Sequence, residues 1–151
     1  MLNCGNYLSG FADGEGSFCI SFSPSKRHKF GWEIRPSFSV SQNSDRAEVL
    51  ILFKTYWNRG SIRPDRSDKT LKFEIRAIDD LVKKVIPHFE KYPLVSSKHN
   101  DFEHFSEVCK LIVQRKHLES GGFKRIVELA FQMNPSGKRK YSKENLFQHF
   151  R

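Results

Sequence analysis

From Trp32 to Ser41 apolar and polar side chains alternate. Trp32, Ile34, Phe38 and Val40 fall on one side of an extended chain, with Pro36 in phase, and Glu33, Arg35, Ser37, Ser39 and Ser41 fall on the other. A strand with this pattern buries one face and presents the other. At roughly 3.3 Å per residue the presented face is a polar ladder about 30 Å long. A two-stranded ribbon of such a kind fits the DNA major groove, where its side chains can read base edges. The same pattern also describes an ordinary solvated sheet face. Pro36 implies that its position needs no backbone donor toward a neighbouring strand.

The rest of the chain is organised around this strand. Before it, Phe18, Ile20 and Phe22 alternate with Ser17, Cys19, Ser21 and Ser23 as a first strand. The two are joined by Pro24-Ser25-Lys26-Arg27-His28-Lys29, a basic loop that, taken in isolation, reads better as a solubilising tip. Gln42 and Asn43 end the second strand, and Ser44 or Asp45 caps a helix from Arg46 to about Tyr56 with Val49, Leu50, Phe53 and Tyr56 as its core stripe. A second hairpin follows: a short strand near Ser61-Ile62-Arg63, a turn at Asp65-Arg66-Ser67-Asp68, and a strand from Lys69 to Ala77. Leu71, Phe73, Ile75 and Ala77 form its core face, and Thr70, Lys72, Glu74 and Arg76 the polar one. Asp79 or Asp80 caps the next helix, which Pro87 disturbs near its end. Tyr92–Lys98 is a loop. Helices follow from Asn100 to about Gln114 and from about Glu119 to Met133. Two hairpins with matching polar faces make one four-stranded antiparallel sheet with helices on its apolar side, an α+β layer.

Ahead of both hairpins stands Tyr7-Leu8-Ser9-Gly10-Phe11-Ala12-Asp13-Gly14-Glu15-Gly16-Ser17-Phe18. Leu8, Phe11 and Ala12 share one helical face. Ser9, Gly10 and Asp13 are read as a second face, small and nearly flat, which allows a second helix backbone to come close. Gly14 and Gly16 stop the helix. Glu15 between them places a carboxylate at the negative end of the helix dipole, which is unfavourable without a cation. The arrangement is either a metal-binding acid or a plain helix-to-strand turn with an exposed acid.

The 151 residues suit one compact domain, and 14 Phe suggest an aromatic core. The formal net charge of +9 favours a polyanionic partner. No apolar run approaches membrane-spanning length. The first residues lack the features of a signal or transit peptide, so an intracellular protein is expected, in a bacterial cytoplasm or an organelle. Cys4, Cys19 and Cys109 are too widely spaced for a disulfide framework or a zinc site.

Leu8-Ser9-Gly10-Phe11-Ala12-Asp13-Gly14-Glu15-Gly16 closely resembles the signature of the LAGLIDADG homing endonucleases, with Phe11 and Ala12 at the signature's Leu and Ile. The element order is that family's αββαββα, so the resemblance spans nearly the whole chain. Tyr92-Pro93-Leu94, Lys116-His117-Leu118 and Gly122-Phe123-Lys124 are weaker likenesses. The resemblance implies one endonuclease domain over residues 1–134. Residues 135–151 are expected as a basic C-terminal tail, partly disordered or lying along DNA. A single signature implies a homodimer joined through Ser9, Gly10 and Asp13. Glu15 and the Gly14 carbonyl would hold Mg²⁺, with Mn²⁺ as a substitute, for hydrolysis of double-stranded DNA. Glu15 stands where many members have Asp.

By the same resemblance Gln42 orients water, although it also reads as a turn residue. Lys98 stabilises transition-state charge, but Ser96-Ser97 departs from the family's paired lysines, whose catalytic member could align to either serine, and Arg46 is either a substitute or, the favoured reading, an ordinary phosphate contact. The DNA-facing set comprises Lys26, Arg27, His28 and Lys29 at the loop, Glu33, Arg35, Ser37 and Ser39 on the long strand, and Arg46, Arg63, Arg66, Lys69, Lys72, Glu74 and Arg76 beyond it. A two-fold dimer implies a pseudo-palindromic target. The rivals are a maturase-like protein that binds intron RNA without cleaving, a DNA-binding regulator on the same scaffold, and a basic ribosome-associated protein.

Overall fold

The computed structural model describes residues 3–65 and 69–150, so the expected DNA contact Arg66 lies outside the described residues. Helix α1 (Cys4–Glu15) is followed by β1 (Gly16–Pro24) and β2 (Trp32–Asn43). A 3₁₀ turn (Ser44–Arg46) leads into α2 (Glu48–Trp57), then β3 (Ser61–Pro64) and β4 (Thr70–Ile75). The four strands form one sheet in the order β1-β2-β4-β3, the antiparallel α+β arrangement expected. Phe38 and Val40 pair with Ile75 and Phe73 on the buried side. Ser39 and Ser41 pair with Glu74 and Lys72 on the polar side. Pro36 is buried in phase with them.

The chain then continues through α3 (Ile78–Asp80), a π turn (Leu81–Val85) and α4 (Ile86–Lys91). Pro87 falls at the start of α4 rather than breaking the helix. A proline there removes one i→i−4 bond, and the wider π turn before it, where the Ile86 N–H reaches the Leu81 carbonyl, absorbs the defect. Next come α5 (Lys98–Val113), a 3₁₀ turn (Lys116–Leu118), α6 (Ser120–Phe131), α7 (Lys143–Leu146) and a 3₁₀ turn (Gln148–Phe150). No described helix is long and apolar enough to cross a membrane.

The chain divides into two compact units. The first comprises the residues up to Phe18 with Ser37–His99, and the second Cys19–Pro36 with the residues from Asn100 onward. The first has an aromatic core. Phe18 lies 5.1 Å from Phe38 and 5.3 Å from Phe89, and Phe53 stacks on Phe73 at 5.7 Å. Trp57 closes this cluster against Phe38 at 5.6 Å. Tyr56, expected in the core stripe, is 41% exposed instead. Both are spaced to follow Phe53, at i+3 and i+4, and the larger apolar ring takes the interior. Neither Ser44 nor Asp45 caps α2, because the 3₁₀ turn intervenes and Ala47 stands at the cap.

The second unit buries Ile20, Phe105, Val108, Ile126, Val127 and Leu146. Its described C-terminal residues are packed, which corrects the expectation of a partly disordered tail. Arg139 donates to the Ile20 carbonyl at 2.8 Å and to the Ala130 carbonyl. Tyr141 meets Trp32 at 4.7 Å, and Phe150 stacks on Phe30 at 4.9 Å. Ser142 and Asn145 form a reciprocal capping box that starts α7.

Candidate functional site

The first unit gathers several expected residues at the C-terminal end of α1. Glu15 is the last residue of the helix and is exposed. Of the two glycines expected to stop the helix, Gly14 is helical and Gly16 alone stands at the C-cap. Glycine is required there for space rather than for a special dihedral: its φ is −81°, and a β-carbon would lie 2.7 Å from the Ala12 carbonyl oxygen. That oxygen accepts twice, from the Gly16 N–H and from the Lys98 ammonium at 3.0 Å. Lys98 therefore sits where the helix's unpaired carbonyls concentrate negative charge. It also supplies the cation that α1 lacks in its own last turn.

Asp13 holds Lys98 there. Its carboxylate accepts from the Val95 N–H at 2.8 Å, from the Ser96 N–H at 3.1 Å and from the Ser96 hydroxyl. Ser96 Oγ in turn accepts from the Lys98 N–H at 3.2 Å. Burial pushes the Asp13 carboxyl up, but the Ser96 hydroxyl, the two amides and the Lys98 charge outweigh it and hold it below the usual carboxylate value. So Asp13 is a latch on the loop before α5, where an open helix face was expected.

Ser9 is also turned inward. It is 4% exposed and donates to the Tyr92 carbonyl at 2.6 Å. With its one proton used, its oxygen must accept from His88 Nε2 at 3.0 Å, which fixes the proton of neutral His88 on Nε2. Burial holds His88 down at about 4. The expected flat face of Ser9, Gly10 and Asp13 is thus corrected. The open side of α1 carries Tyr7, Gly10 and Gly14, and a β-carbon at either glycine would meet nothing within 4 Å. A spacing of three and four residues was legible as one helical face. The inward pull on Ser9 was not, since His88 lies 79 residues away.

Gln42 lies on β2, one residue before its end, and its side-chain carbonyl accepts from the Asn43 N–H at 2.8 Å. Arg46 is exposed, 3.8 Å from Asp45. On the polar side of β4 and β3, Glu74 is 12% exposed and lies 3.2 Å from Arg63 and 3.8 Å from Arg76. Lys72 is 3.6 Å from Asp65. Ser37 and Ser39 are half-buried and Lys69 is exposed. In the second unit Arg35 and Glu33 pair at 2.9 Å. Lys26, Arg27 and Lys29 are exposed, and His28 is half-buried with Nδ1 2.8 Å from Ser25 Oγ.

No cluster of three metal-ligating His, Cys, Asp or Glu side chains occurs among the described residues. One chain thus offers a carboxylate and neighbouring carbonyls at the end of α1. This hard oxygen set suits a divalent cation such as Mg²⁺ once further oxygen donors join it.

The family description "LAGLIDADG endonuclease" matches residues 8–109. Probable intron-encoded endonuclease 2 of Neurospora crassa is 32% identical over 130 residues, covering 85% of this chain and 29% of that protein. Among solved structures, the I-LtrWI LAGLIDADG homing endonuclease bound to target DNA has a TM-score of 0.86 and 34% identity, covering 97% of this chain and 48% of that one. The homing endonuclease I-TnaI has a TM-score of 0.84 and 29% identity, covering 97% and 95% of the two chains. The chain spans 29% and 24% of the first curated relatives it matches.

Proposed function

The chain belongs to the LAGLIDADG endonuclease family, and from that premise we propose that it is a site-specific homing endonuclease. It makes double-strand breaks in a long pseudo-palindromic DNA target, as a homodimer with one Glu15 per DNA strand. The observation that carries this reading is the pairing of an exposed acid and a latched cation at one helix end. Glu15 closes α1, and Asp13 and Ser96 bring Lys98 onto its last turn.

Glu15 and the Gly14 carbonyl would hold Mg²⁺, or Mn²⁺ in its place, with target phosphates and the second subunit completing the oxygen set. The ion, when bound, supplies Lewis-acid stabilisation of phosphodiester hydrolysis. Lys98 offers positive charge to the phosphate as charge develops on it. Gln42 has one side-chain end anchored on Asn43 and an amide NH₂ available to hold water. Gly10 and Gly14 have no local need to be glycine, which supports close approach of a second α1 across a two-fold axis. Arg63, Lys72, Glu74 and Arg76 would read base edges, and the β1–β2 loop would meet phosphates.

Plasmid cleavage against a library of candidate insertion sites, with and without Mg²⁺, tests the reading. Cleavage of one site is expected with the metal only, and Glu15→Gln is expected to reduce it by at least roughly 10³-fold with target binding retained. Tight, metal-independent intron RNA binding with no cleavage would replace this reading with a maturase. A monomer in sedimentation with DNA bound would overturn the two-fold model.

A further inference from the structure

The loop between β1 and β2 closes on itself. The Ser25 N–H donates to the Gly31 carbonyl at 2.8 Å, and the Gly31 N–H to the His28 carbonyl at 2.9 Å. Beside it lies an open cavity of about 410 Å³, lined by Ser25, Lys26, His28, Lys29, Gly31 and His149 among others. Among the described residues, no carboxylate lines it.

His149 arrives from the far end of the chain and is held in place. Phe150 stacks on Phe30 at 4.9 Å and meets Phe123 at 5.9 Å, with the Lys124 ammonium 4.5 Å from its ring centre. Leu146 roots the segment and is fully buried. Gly31 makes room for it: its φ is +82°, and a β-carbon there would collide with His149 Nε2. The chain thus places an imidazole against a basic loop and leaves the cavity open.

We propose that this cavity is a phosphate seat, shared between the β1–β2 loop and the C-terminal segment, that takes one backbone phosphodiester of the DNA. Two ammonium groups and two imidazoles can donate to it, with no acid among the described residues of its lining to compete. The open mouth suits a phosphate carried on a polymer. His149 is the residue the sequence did not mark for this role, and the Phe150–Phe30 stack positions it. The proposal rests on the DNA-cleaving reading above.

The test is equilibrium binding of the full chain to its duplex over a range of salt concentrations. His149→Ala should weaken binding about fivefold at moderate salt, and Lys29→Ala should weaken it and also lower the salt slope by about 1. His149→Lys should restore the affinity and raise the salt slope by about 1. Lys54→Ala, on α2, should leave it unchanged. A duplex carrying a neutral methylphosphonate at the contacted phosphate should abolish the difference between wild type and His149→Ala. An affinity in His149→Ala equal to the wild type's would overturn the seat while leaving the endonuclease reading intact. Absence of any DNA binding by the wild type would overturn both.

Discussion

The polar side of β4 and β3 and the tip of the β1–β2 loop are both basic, yet they hold their charge differently. On β4 and β3 each cation has an acid: Arg63 and Arg76 flank Glu74, and Lys72 faces Asp65. At the tip, Lys26, Arg27, His28 and Lys29 follow one another with no acid between them. A paired guanidinium is already oriented, so less side-chain freedom is lost when it meets a base edge. An unpaired one offers its full charge to a phosphate and feels salt most. The engaged style extends through the first unit, to Asp13 on Ser96 and Ser9 on His88. Engagement gives direction there, and openness gives reach at the tip.

The sharpest way to break this contrast is to acidify the protein. His88 is neutral in the fold and depressed to about 4 from an ordinary 6.5. As pH falls below 6.5 the unfolded chain takes up that proton first, so the stability is full above about 6.5 and is lost progressively toward 4. The expected loss is about 3 kcal/mol. Urea unfolding at pH 7.5 and pH 4.5 measures it, and His88→Gln should flatten the profile. His117 in the second unit is lowered too, by burial and by the His28 and Arg115 charges. It adds a smaller term of the same sign.

Next in size is the latch. Asp13→Ala frees the Val95 and Ser96 amides and lets Lys98 leave the Ala12 carbonyl. Cleavage should fall roughly 10²-fold while target affinity changes little, as single-turnover rates beside binding curves would reveal. Smallest is the charge pairing itself. Glu74→Gln should relax discrimination at one base pair by about 1–3 kcal/mol, read on singly substituted targets. Arg27→Ala should instead weaken all sequences equally and lower the salt slope by about 1. Equal behaviour of these two variants would erase the distinction drawn between the regions.

Much of this architecture is written in local periodicity. Trp32–Ser41 and Leu71–Ile75 declare their faces two residues at a time, and the sheet's polar side follows from them. What periodicity cannot carry is a partner far along the chain. Ser9 looked like a small surface residue because His88 is 79 positions away, and Asp13 looked free because Ser96 is 83 away. The packed C-terminal segment did have a local mark, since Leu146, Phe147 and Phe150 recur at helical spacing. Its basic opening, Lys138-Arg139-Lys140, outweighed that mark, although half-buried Arg139 serves as an internal clip.

That clip has a consequence in time as well as in space. It joins Ile20 to a guanidinium 119 residues later. The two strands of the hairpin are neighbours in sequence and pair within microseconds, whereas a closure of such sequence separation is slow. After dilution from denaturant, the hairpin should therefore form first with its tip still loose, and the Tyr141–Trp32 and Phe150–Phe30 contacts should come in last. Near-ultraviolet aromatic signals would then trail far-ultraviolet ones, and the region expected to meet phosphates would be the last to mature.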